Sequence, residues 1–289
     1  MPTTSSGLSN ELAATPVAAV TAATILLADS ANVRRYAFDG TLLATPYGSP
    51  LTTYQAGAYA PGAGYLFLGA KGNGSGGSGG VRRIVLATGT LTTPIASGAR
   101  GVAVDEAAAS GAGRIFYGFN NSSIFQAALD GTGAVALISG GHFYPSAVAC
   151  VPASSRLYFT KKGSGGPGLY RTTYAGATPV LLKSTSNQES LSADLATGNV
   201  YLGAGSLGVF QFTPGDVETD VTPPGLGSLF SDVREFLVDS VGGYCYGWVR
   251  MVDDSLWDLY RWDWPTLANP TPIVTGSGTA DASLTLEPA

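Results

Sequence analysis

Side chains that could take part in catalysis are scarce in this sequence. It contains one histidine, His142, in the segment GGHFYPS. Nucleophilic catalysis would need that histidine beside a serine or cysteine, together with an acidic group that orients it. A single histidine also excludes the zinc sites that are built from several histidines. We therefore predict no catalytic residues and interpret His142 as a loop histidine.

Four charged residues share one place in a repeated pattern. Arg100, Glu189 and Arg234 each lie five residues before an aspartate that ends an apolar run, and Asp281 lies at the matching connection before the last run. Together with His142 they would form a mixed-charge opening that suits a small ligand or a peptide. The alternative is a water-filled channel in which these charges pair with one another.

The elements that would position these residues are best read from residues 101–140. The segment GVAVDEAAASGAGRIFYGFNNSSIFQAALDGTGAVALISG contains four short apolar runs separated by turn signals at Asp105-Glu106, Asn120-Asn121 and Asp130-Gly131. Four consecutive strands joined by tight turns predict one antiparallel sheet of the kind that forms a propeller blade.

Glycine marks the outer turn of successive units along the chain. These turns fall at Gly40, Gly89, Gly131, Gly176, Gly215 and, in the last unit, near Pro265. Their spacing of roughly 39 to 49 residues is the propeller-blade period. A hairpin turn favours a residue that tolerates positive φ, which is why glycine recurs there.

The two ends of the repeated region complement each other. The first strands of four units are aligned so that they end at Asp105, Cys150, Asp194 and Asp239, and the segment ASLTLEPA fits the same template with Glu287 at this position. The first unit, which begins near Thr24, lacks such a strand. We therefore predict an all-β, six-bladed β-propeller of four-stranded antiparallel blades over residues 22–289, in which the C-terminal strand completes the first blade. Closure of this kind removes open sheet edges.

Residues 1–21 form a predicted N-terminal arm ahead of the propeller. The arm is rich in Thr, Ser, Ala and Pro and shows no strand alternation. Chain ends of this type are ordered only when another surface holds them. We expect that surface to be the propeller face or another protein subunit.

Charge and composition exclude several classes of function. The net charge is −5 and charged residues make up 12% of the chain, so nothing suggests nucleic-acid binding. No apolar run approaches the roughly 20 residues of a membrane-spanning helix, and the N-terminus lacks the basic segment of a signal peptide. Cys150 and Cys245 fall in non-adjacent blades within apolar runs, so we predict two buried, unbridged thiols.

The repeats resemble two families of six-bladed propellers, the YWTD and NHL families. The resemblance rests on aromatic second strands at RLYFT (156–160), VYLG (200–203) and RIFY (114–117), on the aspartates that end the first strands, and on Asp-Gly turns at 39–40 and 130–131. It covers residues from about 24 to the end and implies a six-bladed propeller of a binding lineage. It implies no particular ligand.

Six-bladed propellers also include lactonases, whose family pattern is a calcium ion held by Glu, Asn and Asp at the channel mouth. At the matching positions this chain has two arginines, Arg100 and Arg234, with one glutamate, Glu189. Glu235 and Asp281 are acidic neighbours that could contribute. We predict no metal and no cofactor, because this set is a poor cation cage, and we expect the aspartates of the first strands to cap their own turns. A calcium-dependent, lactonase-like hydrolase is retained as an alternative.

Aromatic residues cluster in the last unit, in the segment LWDLYRWDW. Strand alternation places Trp257 and Leu259 on one face and Tyr260 and Trp262 on the other. Packing between blades is one interpretation of these large side chains. The other is that Trp262 and Trp264, near the outer edge, form a surface aromatic contact with a sugar or a neighbouring subunit.

These observations favour a non-enzymatic structural protein. The low charge, the Ala/Gly/Thr-rich composition and the arm resemble virion components of bacteriophages, such as a capsid decoration, head-fibre or tail protein. The predicted location is the virion, with a soluble cytoplasmic or extracellular protein as the alternative. The predicted partners are other subunits, reached through residues 1–21, and a host glycan or protein, with no nucleic acid and no membrane. A soluble propeller that binds a peptide or glycan is the second function that remains open.

Overall fold

The computed structural model describes most of the chain between Ala22 and Pro288. The described ranges are 22–28, 32–48, 54–70, 80–96, 98–119, 123–139, 144–162, 166–186, 190–253, 256–277 and 282–288. Within them the chain forms β-strands joined by turns, with one short α-helical turn and two 3₁₀ turns, Pro152–Ser154 and Gly205–Leu207.

The elements follow the predicted repeat. The first three units contain β1 (Ala22–Ala28), β2 (Val33–Tyr36), β3 (Leu42–Tyr47), β4 (Tyr54–Ala60), β5 (Tyr65–Ala70), β6 (Val81–Val85), β7 (Thr90–Ile95), β8 (Ala99–Asp105), α1 (Ala108–Gly111), β9 (Arg114–Phe119), β10 (Ser123–Ala127) and β11 (Val135–Ile138). The remaining units contain β12 (Tyr144–Val151), β13 (Arg156–Lys162), β14 (Gly168–Thr173), β15 (Val180–Ser184), β16 (Ser190–Asp194), β17 (Asn199–Gly203), β18 (Val209–Phe212), β19 (Glu218–Asp220), β20 (Phe230–Asp239), β21 (Tyr244–Met251), β22 (Trp257–Asp263), β23 (Ala268–Ser277) and β24 (Ser283–Pro288).

The strands form six four-stranded antiparallel sheets, which are the blades of the propeller. Blades 2 to 6 each use four consecutive strands, β4–β7, β8–β11, β12–β15, β16–β19 and β20–β23. Blade 1 has the order β24-β1-β2-β3, with Ile25 opposite Leu286 and Leu27 opposite Leu284. The six-bladed fold and its closure by the C-terminal strand are therefore confirmed.

The outer turns show why glycine recurs in the sequence. Gly40 and Gly131 have φ values of 89° and 87°, in the left-handed region that side chains disfavour. In both turns the preceding aspartate accepts a hydrogen bond from the backbone N–H two residues on, at 2.9 Å. Blade 5 differs, because its left-handed residue is Asp216, at φ 64°, rather than the predicted Gly215.

The hydrophobic core lies in six seams, one between each pair of neighbouring blades. In the seam between blades 3 and 4, for example, Phe116 packs with Leu157, and both are fully buried. β22 contributes to two seams because its side chains alternate. Trp257 and Leu259 pack toward blade 1, whereas Tyr260 and Trp262 pack toward blade 5.

This alternation decides between the two interpretations of the aromatic cluster. The prediction of a surface contact is wrong for Trp262, whose side chain is fully buried. Trp264 is partly buried and packs edge-on against Tyr201 of blade 5, with ring centroids 5.5 Å apart. The space between neighbouring blades widens toward the outer edge of the ring, so large side chains are needed to fill it. These two tryptophans fill the seam between blades 5 and 6.

The cysteines lie where the repeat places them, Cys150 in blade 4 and Cys245 in blade 6. Both are buried and free. The prediction of two unbridged core thiols is confirmed.

Candidate functional site: the central channel

The first strand of every blade faces the axis of the ring, and together these strands enclose a cavity of about 770 Å³. The lining residues are 56–59 and 61, 102–104, 148–150, 191–196, 235, 237–239 and 241, and 284–286. Alanine, valine and leucine are the commonest among them. A cavity of this size falls in the range of small-molecule pockets.

The cavity wall is apolar apart from a few acidic and hydroxyl groups. Asp194, Glu235 and Asp239 are its carboxylates, and each is 6% exposed. No lysine, arginine or histidine occurs among the described lining residues. An occupant would therefore meet apolar contacts and negative charge.

The aspartates at the ends of the first strands cap the turns that follow them. Asp105 Oδ1 accepts hydrogen bonds from the N–H groups of Ala107 and Ala108, at 3.0 and 3.1 Å. Asp194 accepts from Ala196 N at 3.1 Å, and Asp239 from Gly242 N at 2.8 Å. The predicted turn-capping role is confirmed for these three residues, and one oxygen of each is committed to the backbone.

Cys150 is the cysteine among the described residues that line the cavity. Its Sγ donates a hydrogen bond to Val104 O at 3.1 Å. Burial raises the pKa of the thiol to about 12, so the neutral form predominates near pH 7. The thiolate is the reactive form of cysteine, and this wall therefore offers no activated nucleophile at Cys150.

Tyrosines beside the channel are also held in the neutral form. Burial raises the pKa of Tyr59, which lines the cavity, and the negative charge of Glu287 raises it further. Burial likewise raises the pKa values of Tyr201 and Tyr246 on the second strands. None of these phenols is poised to act as a base near neutral pH.

The predicted mouth positions coincide with β-bulges at the starts of the first strands. The pairing register shifts between Ala99 and Val102 in β8 and between Val233 and Glu235 in β20. Similar shifts occur in β4 and β12. A bulge changes the direction in which nearby side chains point. A charged residue at one of these positions therefore need not line the channel.

Arg234 shows the effect of the bulge. Its guanidinium lies 5.0 Å from the centre of the Trp257 ring, and its Nε lies 3.7 Å from Asp232 Oδ2. It does not line the cavity, whereas the adjacent Glu235 does. Strand alternation counted back from Asp239 identifies Glu235 as a channel-lining residue. The common spacing of five residues before the aspartate instead points to Arg234.

The other predicted mouth residues are not brought together in the described part of the molecule. Arg100 lies in β8, is partly exposed and is not among the cavity-lining residues. His142, Glu189 and Asp281 lie outside the described residues. The described ranges contain no group of three or more His, Cys, Asp or Glu side chains that could hold a metal ion.

The cavity reaches the face of the ring that carries the turns between first and second strands. Leu195 and Val241, which follow Asp194 and Asp239, line the cavity and are 64% and 37% exposed. Pro61, at the matching turn of blade 2, is also exposed. We call Pro61, Leu195 and Val241 the rim.

Comparison with known proteins identifies the fold. No protein-family model matches the chain, and no curated protein matches it. A chain of the nidogen/laminin complex is 15% identical, with a TM-score of 0.69 over 91% of this chain and 98% of that one. A putative TolB from Agrobacterium tumefaciens is 11% identical, with a TM-score of 0.65 over 92% and 98%. A GH74 enzyme from Niastella koreensis is 14% identical, with a TM-score of 0.59 over 89% of this chain and 45% of the enzyme.

At these identities the likeness concerns architecture alone. The comparisons agree with the six blades described above. Among the described residues, no helix has both the length and the apolar character needed to cross a bilayer.

Proposed function

We propose that the chain is a non-enzymatic β-propeller that acts through contacts with other proteins. The observation that carries this proposal is a set of exposed apolar side chains on the outer strands. Leu42 and Leu43 on β3 are 52% and 51% exposed, and Val180 and Leu181 on β15 are 46% and 47% exposed. Adjacent apolar pairs on edge strands form association surfaces unless something covers them.

The chemistry of the channel supports the non-enzymatic part of the proposal. Its aspartates bind their own turns, its thiol is neutral, and no cationic side chain faces them among the described lining residues. A catalytic site would instead bring together groups whose protonation suits the reaction. A chain in the nidogen/laminin complex shares the fold, which is consistent with a propeller that works inside a protein assembly.

We further propose that this assembly is a virion, with the protein serving as a capsid decoration, head-fibre or tail component. The support is compositional: 12% charged residues, 40 glycines and an uncharged stretch at residues 12–21. The proposed partners are other subunits, with residues 1–21 as one of the contacts. A host glycan or protein is the second partner we propose.

The test is the native mass of the purified protein, measured over a range of concentrations. We expect species larger than the 29.4 kDa subunit, and we expect Val180→Asp/Leu181→Asp to shift them toward the subunit mass. Val252→Asp is the control, because Val252 is 43% exposed but lies outside the outer strands. A wild-type chain that stays a single subunit at every concentration would contradict the proposal.

Calcium titration tests the hydrolase alternative. A ligand that binds only the native state raises the melting temperature. We expect the melting temperature to be the same in calcium and in chelator. A rise in calcium, together with hydrolysis of a lactone, would replace the structural proposal with an enzymatic one.

A further inference from the structure

One carboxylate of the channel wall has an oxygen that the protein does not use. Asp239 lines the cavity and is 6% exposed. Its Oδ1 accepts a hydrogen bond from Gly242 N at 2.8 Å, whereas its Oδ2 is buried and has no hydrogen-bond partner among the described residues. A buried polar atom without a partner destabilises the folded chain, so an occupant that donates a hydrogen bond to this oxygen would be favoured.

The matching carboxylate of blade 5 shows what is missing in blade 6. Asp194 also lines the cavity, and both of its oxygens are used within its own turn. Oδ1 accepts from Ala196 N at 3.1 Å, and Oδ2 accepts from the Thr197 hydroxyl at 2.6 Å. Three residues after Asp239 the chain has Gly242, at the place of Thr197 in blade 5. The turn of blade 6 therefore has no hydroxyl at the position that would satisfy Oδ2.

The rest of the wall offers apolar surface and hydrogen-bond acceptors to an occupant. Two of its donors are already used within the protein, since Ser192 donates to Phe236 O and Cys150 donates to Val104 O. No lysine, arginine or histidine occurs among the lining residues that the structure describes. The occupant that fits this wall combines a positively charged donor, which pairs with the buried carboxylate, with an apolar body.

The wall also indicates the kind of cation. The described ranges hold no group of three or more His, Cys, Asp or Glu side chains that could bind a metal ion. A quaternary ammonium is recognised by a cage of aromatic rings, and Tyr59 is the one aromatic residue among the described lining residues. Aliphatic side chains such as Leu237, Leu284 and Leu286 line the wall instead. A primary ammonium on an aliphatic body matches both properties.

We propose that the channel binds a protonated alkylamine, with its ammonium group at Asp239 and its aliphatic body against the apolar wall. The cavity volume of about 770 Å³ is in the range of small-molecule sites. The amine would enter past Leu195 and Val241, the exposed rim residues. This inference goes beyond the proposed function and does not depend on it, because a single subunit contains the whole site.

An NMR titration with cyclohexylmethylamine tests the proposal, and cyclohexylmethanol is the neutral analogue of nearly the same shape. The amine has only about eight non-hydrogen atoms, so we expect a dissociation constant on the order of 1 mM. The alcohol should bind at least about tenfold more weakly, because it brings no charged donor to the carboxylate. The trimethylammonium analogue has no N–H group and should also bind more weakly than the amine.

Three results of this titration would overturn the proposal. They are equal affinity of the amine and the alcohol, equal affinity of the amine and its trimethylammonium analogue, and no measurable binding of the amine at about 10 mM.

Asp239→Asn locates the ammonium group. Asparagine keeps an acceptor for Gly242 N, so the turn should hold, but the negative charge is lost. We expect the affinity for the amine to fall at least about tenfold and the affinity for the alcohol to stay the same. Asp105→Asn is the matched control, because Asp105 caps the corresponding turn of blade 3 and is 5% exposed but is not among the cavity-lining residues. Equal losses in the two variants would contradict the assignment of Asp239.

A charge placed at the rim gives a second test that changes no buried residue. Leu195 is 64% exposed and lines the cavity, so Leu195→Lys should fold and bring a repelling charge to the entrance. We expect the amine to bind about threefold more weakly at low salt. Val217→Lys, on the outer turn of the same blade, is the control, because Val217 is 61% exposed. Equal amine affinity of the two variants would mean that the amine does not bind in this channel, and the proposal would fall.

Discussion

At their outer turns, the six seams between blades are closed in three different ways. In four seams a turn glycine presses against a backbone carbonyl of the preceding blade. The four contacts are Gly40 with Ile273, Gly89 with Pro46, Gly131 with Pro94 and Gly176 with Leu137. An added Cβ would clash with the carbonyl oxygen in every case, so these seams bring backbone against backbone.

The seam between blades 4 and 5 is closed by charge instead. The left-handed turn residue is Asp216, whose Oδ2 lies 3.1 Å from Nη1 of Arg171 in blade 4. Arg156 of blade 4 lies 3.8 Å from the other oxygen of Asp216. Lys183 adds a third pair, with its Nζ 2.5 Å from Glu218 Oε1.

The seam between blades 5 and 6 is closed by an aromatic ring. Trp264, in the outer turn of blade 6, meets Tyr201 of blade 5 at an interplanar angle of 87°. In these two seams side-chain contacts take the place of the close approach of a turn glycine. One position in the repeat can therefore be filled by a backbone, charge or aromatic contact, and these seams should respond differently to substitution, salt and pH.

The largest effect should come from a glycine seam. We expect Gly131→Ala to lower the free energy of unfolding by about 3 kcal/mol, because it combines left-handed strain with a clash against Pro94. Gly133→Ala is the control: Gly133 also has positive φ, at 64°, but has open space around it, so it should cost only about 1 kcal/mol. Equal losses in denaturant unfolding would show that the close approach contributes nothing.

The aromatic seam should be next. Trp264→Ala removes the edge contact with Tyr201 and part of the buried surface, so we expect a loss of about 2 kcal/mol. Trp264→Phe keeps an aromatic ring and should lose less than half of that. If the two variants unfold at the same denaturant concentration, the aromatic contact is not what closes this seam.

Alkaline pH should weaken the seam that holds Cys150. Burial raises the pKa of this thiol from 9.0 to about 12. The unfolded chain therefore ionises first, and the contribution to stability is complete below pH 9 and is lost as the pH rises toward 12. Between pH 8 and pH 10, Cys150→Ala should lose about 1.4 kcal/mol less than the wild-type chain. Parallel pH profiles for the two proteins would refute this assignment.

The charged seam should show the smallest effect. Asp216→Asn keeps a residue that tolerates positive φ, so it should remove mainly the attraction to the arginines. Both partners are partly exposed, and we expect a loss of about 0.5 kcal/mol that disappears near 1 M salt. Asp253→Asn, at an exposed aspartate of blade 6, is the control. A loss that persists in salt would point to packing rather than charge.

Much of the fold follows from local signals in the sequence. Asp-Gly turns such as Asp130-Gly131 and the alternating first strands repeat at blade spacing. The first unit lacks a first strand, and the segment that ends the chain, with Glu287 at the template position, supplies one. Each of these signals depends on a few neighbouring residues. That is why the blade count, the ring closure and the turn-capping aspartates could be predicted.

The candidate site was less predictable because it depends on small shifts of register. Alternation counted from Asp239 points to Glu235, but the residue types do not reveal the bulge beside Arg234, which does not line the channel. Trp262 lies near the outer edge of its unit in the sequence, but its face of β22 packs on blade 5. Asp216, rather than Gly215, is the left-handed residue, and it pairs with Arg171 of another blade, a contact that no local pattern contains.

The pairing of β1 with β24 has a consequence for the order of synthesis. Thr24 and Glu287, which share a hydrogen bond of 2.6 Å, are 263 positions apart. While a ribosome makes the five intervening blades, the inner edge of β1 has no β24 to pair with, and Ile25, Leu26 and Leu27 have no complete blade around them. The ring can close only after β24 has left the ribosome, so the blade made first is the blade finished last.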